Sequence, residues 1–193
     1  MRHRLALALL PLLAAGCAQG SADLNYSHAG AVPAFGAPVI ADVTVADLRA
    51  LPPGRVGAVN GYDGRTLKPV ETAGPAADAV ALAFRQALAA RGALAQGGAP
   101  ARYDLDVALL QLNAEQDAER QGEADLRVRL IDRATGAERY SARVYVESRG
   151  DQWLAVDNGV FGSTAALSRL ADAVLSRAID RAIDQPGFRT ALR

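Results

Sequence analysis

The chain has 193 residues, with 21 Lys and Arg against 21 Asp and Glu, 50% hydrophobic residues and a single Cys. That length suits one domain with a real core, and the apolar fraction excludes wholesale disorder. Zero net charge excludes a bulk basic surface for nucleic acid, and one Cys excludes both an internal disulfide and a thiolate zinc site.

Arg2, His3 and Arg4 open the chain, and an apolar run from Leu5 to Ala15 follows. As a helix that run spans only about 16 Å against a bilayer core of about 30 Å. A charged start, a short apolar stretch and then small residues is the layout of a secretory signal peptide. The run ends in Leu13-Ala14-Ala15-Gly16-Cys17. Small side chains before the Cys let the backbone enter a peptidase cleft, and the thiol can take a lipid as a thioether. This resembles the bacterial lipobox, with Ala14 where Leu is more usual. The resemblance implies cleavage between Gly16 and Cys17, removal of residues 1–16, a diacylglyceryl group on Cys17 and acylation of the new amine. Each buried CH2 contributes about 0.8 kcal/mol, so two or more acyl chains hold firmly. Loss of Arg2 and Arg4 tips the balance slightly acidic. Nothing after Cys17 is long and apolar enough to span a bilayer. Ala18, rather than Asp, follows the Cys, which in the enteric sorting rule favours the outer membrane. The expected address is therefore the outer membrane, lipid-anchored and facing the periplasm.

Residues 18–38 are rich in Ala, Gly, Ser and Pro and read as a flexible tether of roughly 25 Å, with the folded domain at 39–193. Val39, Ile40, Val43, Thr44 and Val45 predict a strand within 39–51. Segment 52–74 holds Pro52-Pro53, Asn60-Gly61, Asp63-Gly64 and Gly74-Pro75, which predicts loop or a short hairpin. A helix is predicted over 75–91. Pro75 suits its start, Asp78 the positive end of its dipole and Gly92 its stop, and Val80, Phe84 and Leu88 share one face.

Tyr103, Leu105, Val107 and Leu109 alternate with polar residues in a strand, and the polar stretch 114–121 marks a turn or excursion. A hairpin is predicted over 123–147. Its loop Ala134-Thr135-Gly136 pairs Leu130 with Tyr140, Val128 with Ala142 and Leu126 with Val144. A long helix runs from about Ser163, its cap, to Asp184, with Pro186-Gly187 ending it. The order strand, helix, three strands, helix predicts a two-layer α+β domain. Its sheet is four-stranded and mostly antiparallel, with two helices on one face.

Taken in order, several segments resemble the YajG-like lipoprotein family of Gram-negative envelopes. They are the lipobox at Cys17, Asp47-Leu48-Arg49, Val56-Gly57, Asn60-Gly61 and Leu88-Ala89-Ala90-Arg91-Gly92. The strand 103–112, the hairpin and the closing Ala171-Asp172-Ala173-Val174-Leu175 complete the series. The resemblance implies an envelope lipoprotein and supplies no catalytic residue. A looser likeness of layout joins it to accessory lipoproteins of lipid or lipopolysaccharide transport.

Candidate chemistry is sparse. After processing, His28 is the only imidazole, and it sits in the predicted tether, so no metal site and no cofactor beyond the lipid on Cys17 are expected. Gly159-Val160-Phe161-Gly162-Ser163 lacks the spacing of a nucleophile elbow, and Gly57, Gly61 and Gly64 lack the ending of a phosphate loop. Asp104 and Asp106 share a strand face and read as solvated charges. On the hairpin, Arg127, Arg129, Arg139 and Arg143 mix with Glu123, Asp125 and Glu147. The predicted register sets Arg127 against Arg143, a like pair that a carboxylate or phosphate from a partner would relieve. Trp153, the only Trp, reads as a lid on the core edge or a partner anchor. The expected protein is non-enzymatic. It acts through an envelope protein partner, with Arg127, Arg129, Arg143 and Trp153 as the candidate surface and a groove for an acyl chain as the alternative.

Overall fold

The computed structural model describes residues 21–28, 30–96, 99–149 and 163–193. Three strands come first, β1 (Ile40–Asp47), β2 (Arg55–Asn60) and β3 (Thr66–Glu71), then helix α1 (Ala76–Ala90). Strands β4 (Tyr103–Gln116), β5 (Arg120–Asp132) and β6 (Glu138–Arg149) follow, and α2 (Thr164–Ile183) and α3 (Pro186–Ala191) close the chain. The class is α+β, as expected, but the sheet is a mixed one of six strands, not a mostly antiparallel one of four.

The difference lies in β4. One edge of this 14-residue strand pairs antiparallel with β5 along its whole length. The other edge is shared end to end by two parallel partners, β1 against Tyr103–Leu109 and β2 against Ala114–Gln116. A shift in β4 between Leu109 and Gln111 sits where one partner gives way to the other. Segment 52–74 thus supplies two strands, paired antiparallel as a hairpin. The polar stretch after Leu112 also stays in the ladder, with the turn confined to 117–119.

Alternation decides which face is covered. Tyr103, Leu105, Val107, Leu109 and Leu112 of β4 are buried, and so are Ala124, Leu126, Val128 and Leu130 of β5. They face one layer of helices, in which α2 lies over β4, β5 and β6 while α1 lies over β1 and touches α2. From α1 come Val80, Phe84 and Leu88; from α2 come Leu167, Ala171, Val174, Ala178 and Ile179, each fully buried. Ser163 caps α2, its side chain accepting from the Ala166 N–H. Pro186 does not merely end α2; it opens α3, whose Phe188 closes the core beside Tyr140.

Two glycines are required by close approach. A Cβ on Gly57 would lie 2.1 Å from the Ala114 carbonyl oxygen, so β2 reaches β4 only because that side chain is absent. A Cβ on Gly122 would lie 2.7 Å from Leu170 Cγ, so α2 settles onto β5 there. In the β5–β6 turn Gly136 takes φ +70°, and the predicted pairs Leu130–Tyr140, Val128–Ala142 and Leu126–Val144 form.

The segment read as a tether is largely docked. Ala22 and Leu24 are buried in the core, and Tyr26 and Phe35 pack against it. The Ala22 N–H donates to the Glu71 carbonyl at 2.7 Å, fastening this stretch at the end of β3. Alternate residues turn inward here, so a composition of small and polar residues still buries an apolar row.

Candidate functional site

The face of the sheet opposite the helices is open and charged. The register places Asp106, Arg129 and Ser141 in one row across it, and Ala108, Arg127 and Arg143 in the next. Arg127 does oppose Arg143, as the hairpin pattern predicts. The two cations escape each other differently. Arg143 turns diagonally onto Asp125, with Nε to Oδ1 at 3.0 Å and Nη2 to Oδ2 at 2.5 Å. That contact leaves Asp125 buried and raises the Arg143 pKa. Arg129 pairs with Asp106 at 3.1 Å, Arg139 with Asp132 at 3.2 Å and Arg149 with Glu147 at 3.0 Å. Arg127 stays exposed and has no carboxylate partner among the described residues.

Beside Arg127 lies a shallow groove of about 390 Å³ lined by Thr44, Ala46, Leu48, Asp106 and Ala108 together with the two arginines 127 and 129. Leu48 is 64% exposed at its rim, one of the few large apolar side chains left in water. The floor is small because β1 and β4 bring Ala46 and Ala108 side by side. A cation without a counterion, next to an apolar trough, can take a carboxylate-bearing chain segment.

The strongest polar cluster lies elsewhere, and nothing in the sequence reading pointed to it. Arg91, at the end of α1, is buried. It donates to Asp184 Oδ1 and Oδ2 at 2.9 and 2.7 Å, to Asp180 Oδ1 at 2.8 Å and to the Tyr26 hydroxyl at 2.8 Å. Burial opposes its charge, but the bonds to Asp184, Tyr26 and Asp180 outweigh it and raise its pKa. Tyr26 in turn donates to Asp180 at 2.6 Å, and His28 Nδ1 lies 2.8 Å from the other Asp180 oxygen. His28 is therefore a clasp residue holding the docked segment on α2. The available signal was the four-residue spacing of Asp180 and Asp184, which puts both carboxylates on one helix face.

Gly16, Cys17 and Trp153 lie outside the described residues. Asp104 and Asp106 are each ion-paired, to Arg133 at 3.3 Å and Arg129 at 3.1 Å, and their spacing serves the charge ladder. Among the described residues no group of three His, Cys, Asp or Glu side chains could hold a metal ion. No described helix is long and apolar enough to cross a membrane.

These features define a small mixed α+β domain with one covered and one open sheet face. Protein XCC0632 from Xanthomonas campestris, assigned to the DUF330 family, shares this fold. The TM-score is 0.57 at 15% identity, over 80% of this chain and 88% of that one. A PelC dodecamer from Paraburkholderia phytofirmans matches at a TM-score of 0.40 and 19% identity, over 75% and 91% of the two chains. Lipoprotein GNA1162 from Neisseria meningitidis matches at 0.28 and 13%, over 72% and 97%. The last two likenesses are too loose to carry an argument, and the first shows the fold alone. No family model matches the chain, and no curated protein is significantly similar to it.

Proposed function

We propose that this chain is a lipid-anchored lipoprotein of the bacterial envelope, held through Cys17 at the outer membrane. Its open sheet face docks an acidic segment of an envelope protein, without catalysis of its own. The lipobox-like Leu13-Ala14-Ala15-Gly16-Cys17 supports the anchor, and the segments that resemble the YajG-like family support the envelope setting. The docking role rests on one observation. Among the described residues Arg127 has no carboxylate partner, unlike Arg129 and Arg143 beside it, and it lines the groove with Leu48 and Ala108. A partner carboxylate placed there would relieve the Arg127–Arg143 juxtaposition and cover Leu48.

Two experiments test this reading. Cys17→Ser leaves an unlipidated precursor, and normal palmitate labelling of that variant overturns the anchor. For docking, a photo-crosslinking residue in place of Ala108 gives one defined adduct in whole cells. Arg127→Glu abolishes that adduct, while Arg149→Glu, at the far end of the same face, leaves it. An adduct indifferent to Arg127→Glu overturns the docking role.

The alternative, an auxiliary of lipid or lipopolysaccharide transport holding an acyl chain between helices and sheet, has less support. Of the small residues that would leave room, Ala77, Ala81, Ala171 and Ala178, the last two are fully buried in the core, Ala81 is buried and Ala77 is half-buried. Close helix packing accounts for them.

A further inference from the structure

We propose that the β2–β3 hairpin is a second membrane contact, so that the domain leans on the bilayer beside its own anchor and does not hang from it. The proposal rests on the lipid anchor at Cys17. Its geometry begins where the anchored chain enters the fold. Ala22 is hydrogen-bonded to Glu71 at the end of β3. The next residues are fastened in turn: the Asn25 N–H to Asp172 Oδ1 at 2.8 Å, the Tyr26 N–H to Gln86 at 3.0 Å and the Ser27 N–H to Ser176 at 3.0 Å. Ala22 is five residues on from Cys17, so the lipid-bearing residue lies at most about 18 Å from Ala22.

From Glu71, β3 runs to Thr66, and six residues of strand cover roughly 20 Å. Every residue from 62 to 69 is exposed. Tyr62, 101% exposed, and Leu67, 52% exposed, lie in this stretch with Arg65 and Lys68. Single exposed apolar residues are ordinary on a protein surface. Here, however, two of the few large ones fall on the element to which the anchor is tied. An aromatic, an aliphatic and nearby cations are residue types of a membrane interface, although Arg65 is paired with Asp63 at 3.3 Å. Burying one Leu and one Tyr is a weak interaction alone. It becomes effective because the lipid already holds the hairpin at high local concentration. The strand order β3-β2-β4-β5-β6 sets β6 at the opposite edge of the sheet from the hairpin.

The test uses the lipidated protein, extracted from membranes and reconstituted into phosphatidylethanolamine–phosphatidylglycerol vesicles. The native chain has one Cys, and the lipid occupies its thiol, so an introduced Leu67→Cys or Ser141→Cys takes an environment-sensitive fluorophore alone. Intact mass reads the lipid on Cys17 first. With the lipid present, doxyl-labelled phospholipids quench the label at 67 several-fold more than the label at 141 on β6. Equal quenching, with both labels open to aqueous iodide, overturns the hairpin contact and leaves the lipoprotein reading standing. A bare Cys17 overturns both.

Discussion

Arg91 grips Asp184 with two parallel hydrogen bonds, Nε to Oδ1 at 2.9 Å and Nη2 to Oδ2 at 2.7 Å, and so ties the end of α1 to the end of α2. The planar fork matches the carboxylate, and a third bond from the same guanidinium reaches Asp180. Arg91→Met leaves Asp184 with the longer contact to Arg189 at 3.6 Å and Asp180 with His28, and costs about 3 kcal/mol of stability. Arg91→Lys restores the charge but not the fork and recovers only part of that. Urea unfolding midpoints check the order, and an unshifted midpoint for Arg91→Met rejects the clasp.

Tyr26 predicts an alkaline limb. Burial, and then its bond to Asp180, push its hydroxyl from 10.0 up to about 12. Below pH 10 the hydroxyl is protonated in both folded and unfolded chains, and its contribution is fully present. As pH rises from 10 towards 12 the unfolded chain ionises first, so that stability is lost. Tyr26→Phe therefore makes the melting temperature less steep over that window. Tyr140, raised by burial, contributes to what slope is left. An identical slope for Tyr26→Phe and the native chain removes Tyr26 from the account.

The contact between Gly122 and α2 predicts a compensating pair. Gly122→Ala drives its new methyl towards Leu170 and costs about 1–3 kcal/mol by overpacking. Leu170→Ala opens the space, so the double variant is more stable than the two single losses predict. A double-mutant cycle by chemical denaturation measures the coupling, and strict additivity refutes the contact.

Gly136→Val puts a β-branched side chain where φ is +70° and destabilises the β5–β6 hairpin by about 1 kcal/mol or more. Thermal unfolding and amide exchange at Leu130 and Tyr140 both report it. Unchanged protection at those amides contradicts the left-handed turn.

Local patterns were legible in the sequence, and distant partnerships were not. Leu126, Leu130, Tyr140 and Val144 alternate around a turn with Gly136, so strand type, loop and register agree within one short stretch. The start of α2 was legible because Ser163 stands directly before its apolar stripe. The parallel pairing of Val43 with Leu105 and of Gly57 with Ala114 joins residues far apart in the chain. A short strand such as β2, with glycine inside it, carries little periodicity to announce that pairing. The docked segment escaped notice because its apolar row is made from Ala22, Leu24 and Tyr26 among small neighbours. On the open face, Arg127 and Arg143 were placed correctly by register alone. The turn of Arg143 onto Asp125 depends on side-chain reach, which strand pattern does not encode.

The shared edge of β4 also sets an order of assembly. As the chain emerges amino end first, β1 and β2 precede their common partner by a whole helix and its flanking loops. The β2–β3 hairpin can close by itself, but apart from a single bridge between Ile40 and Leu94, β1 has no strand partner until Tyr103–Leu109 arrives. The first half of the polypeptide therefore waits for one late splint to join its two strands. Such long-range pairing slows folding and leaves the incomplete sheet prone to association.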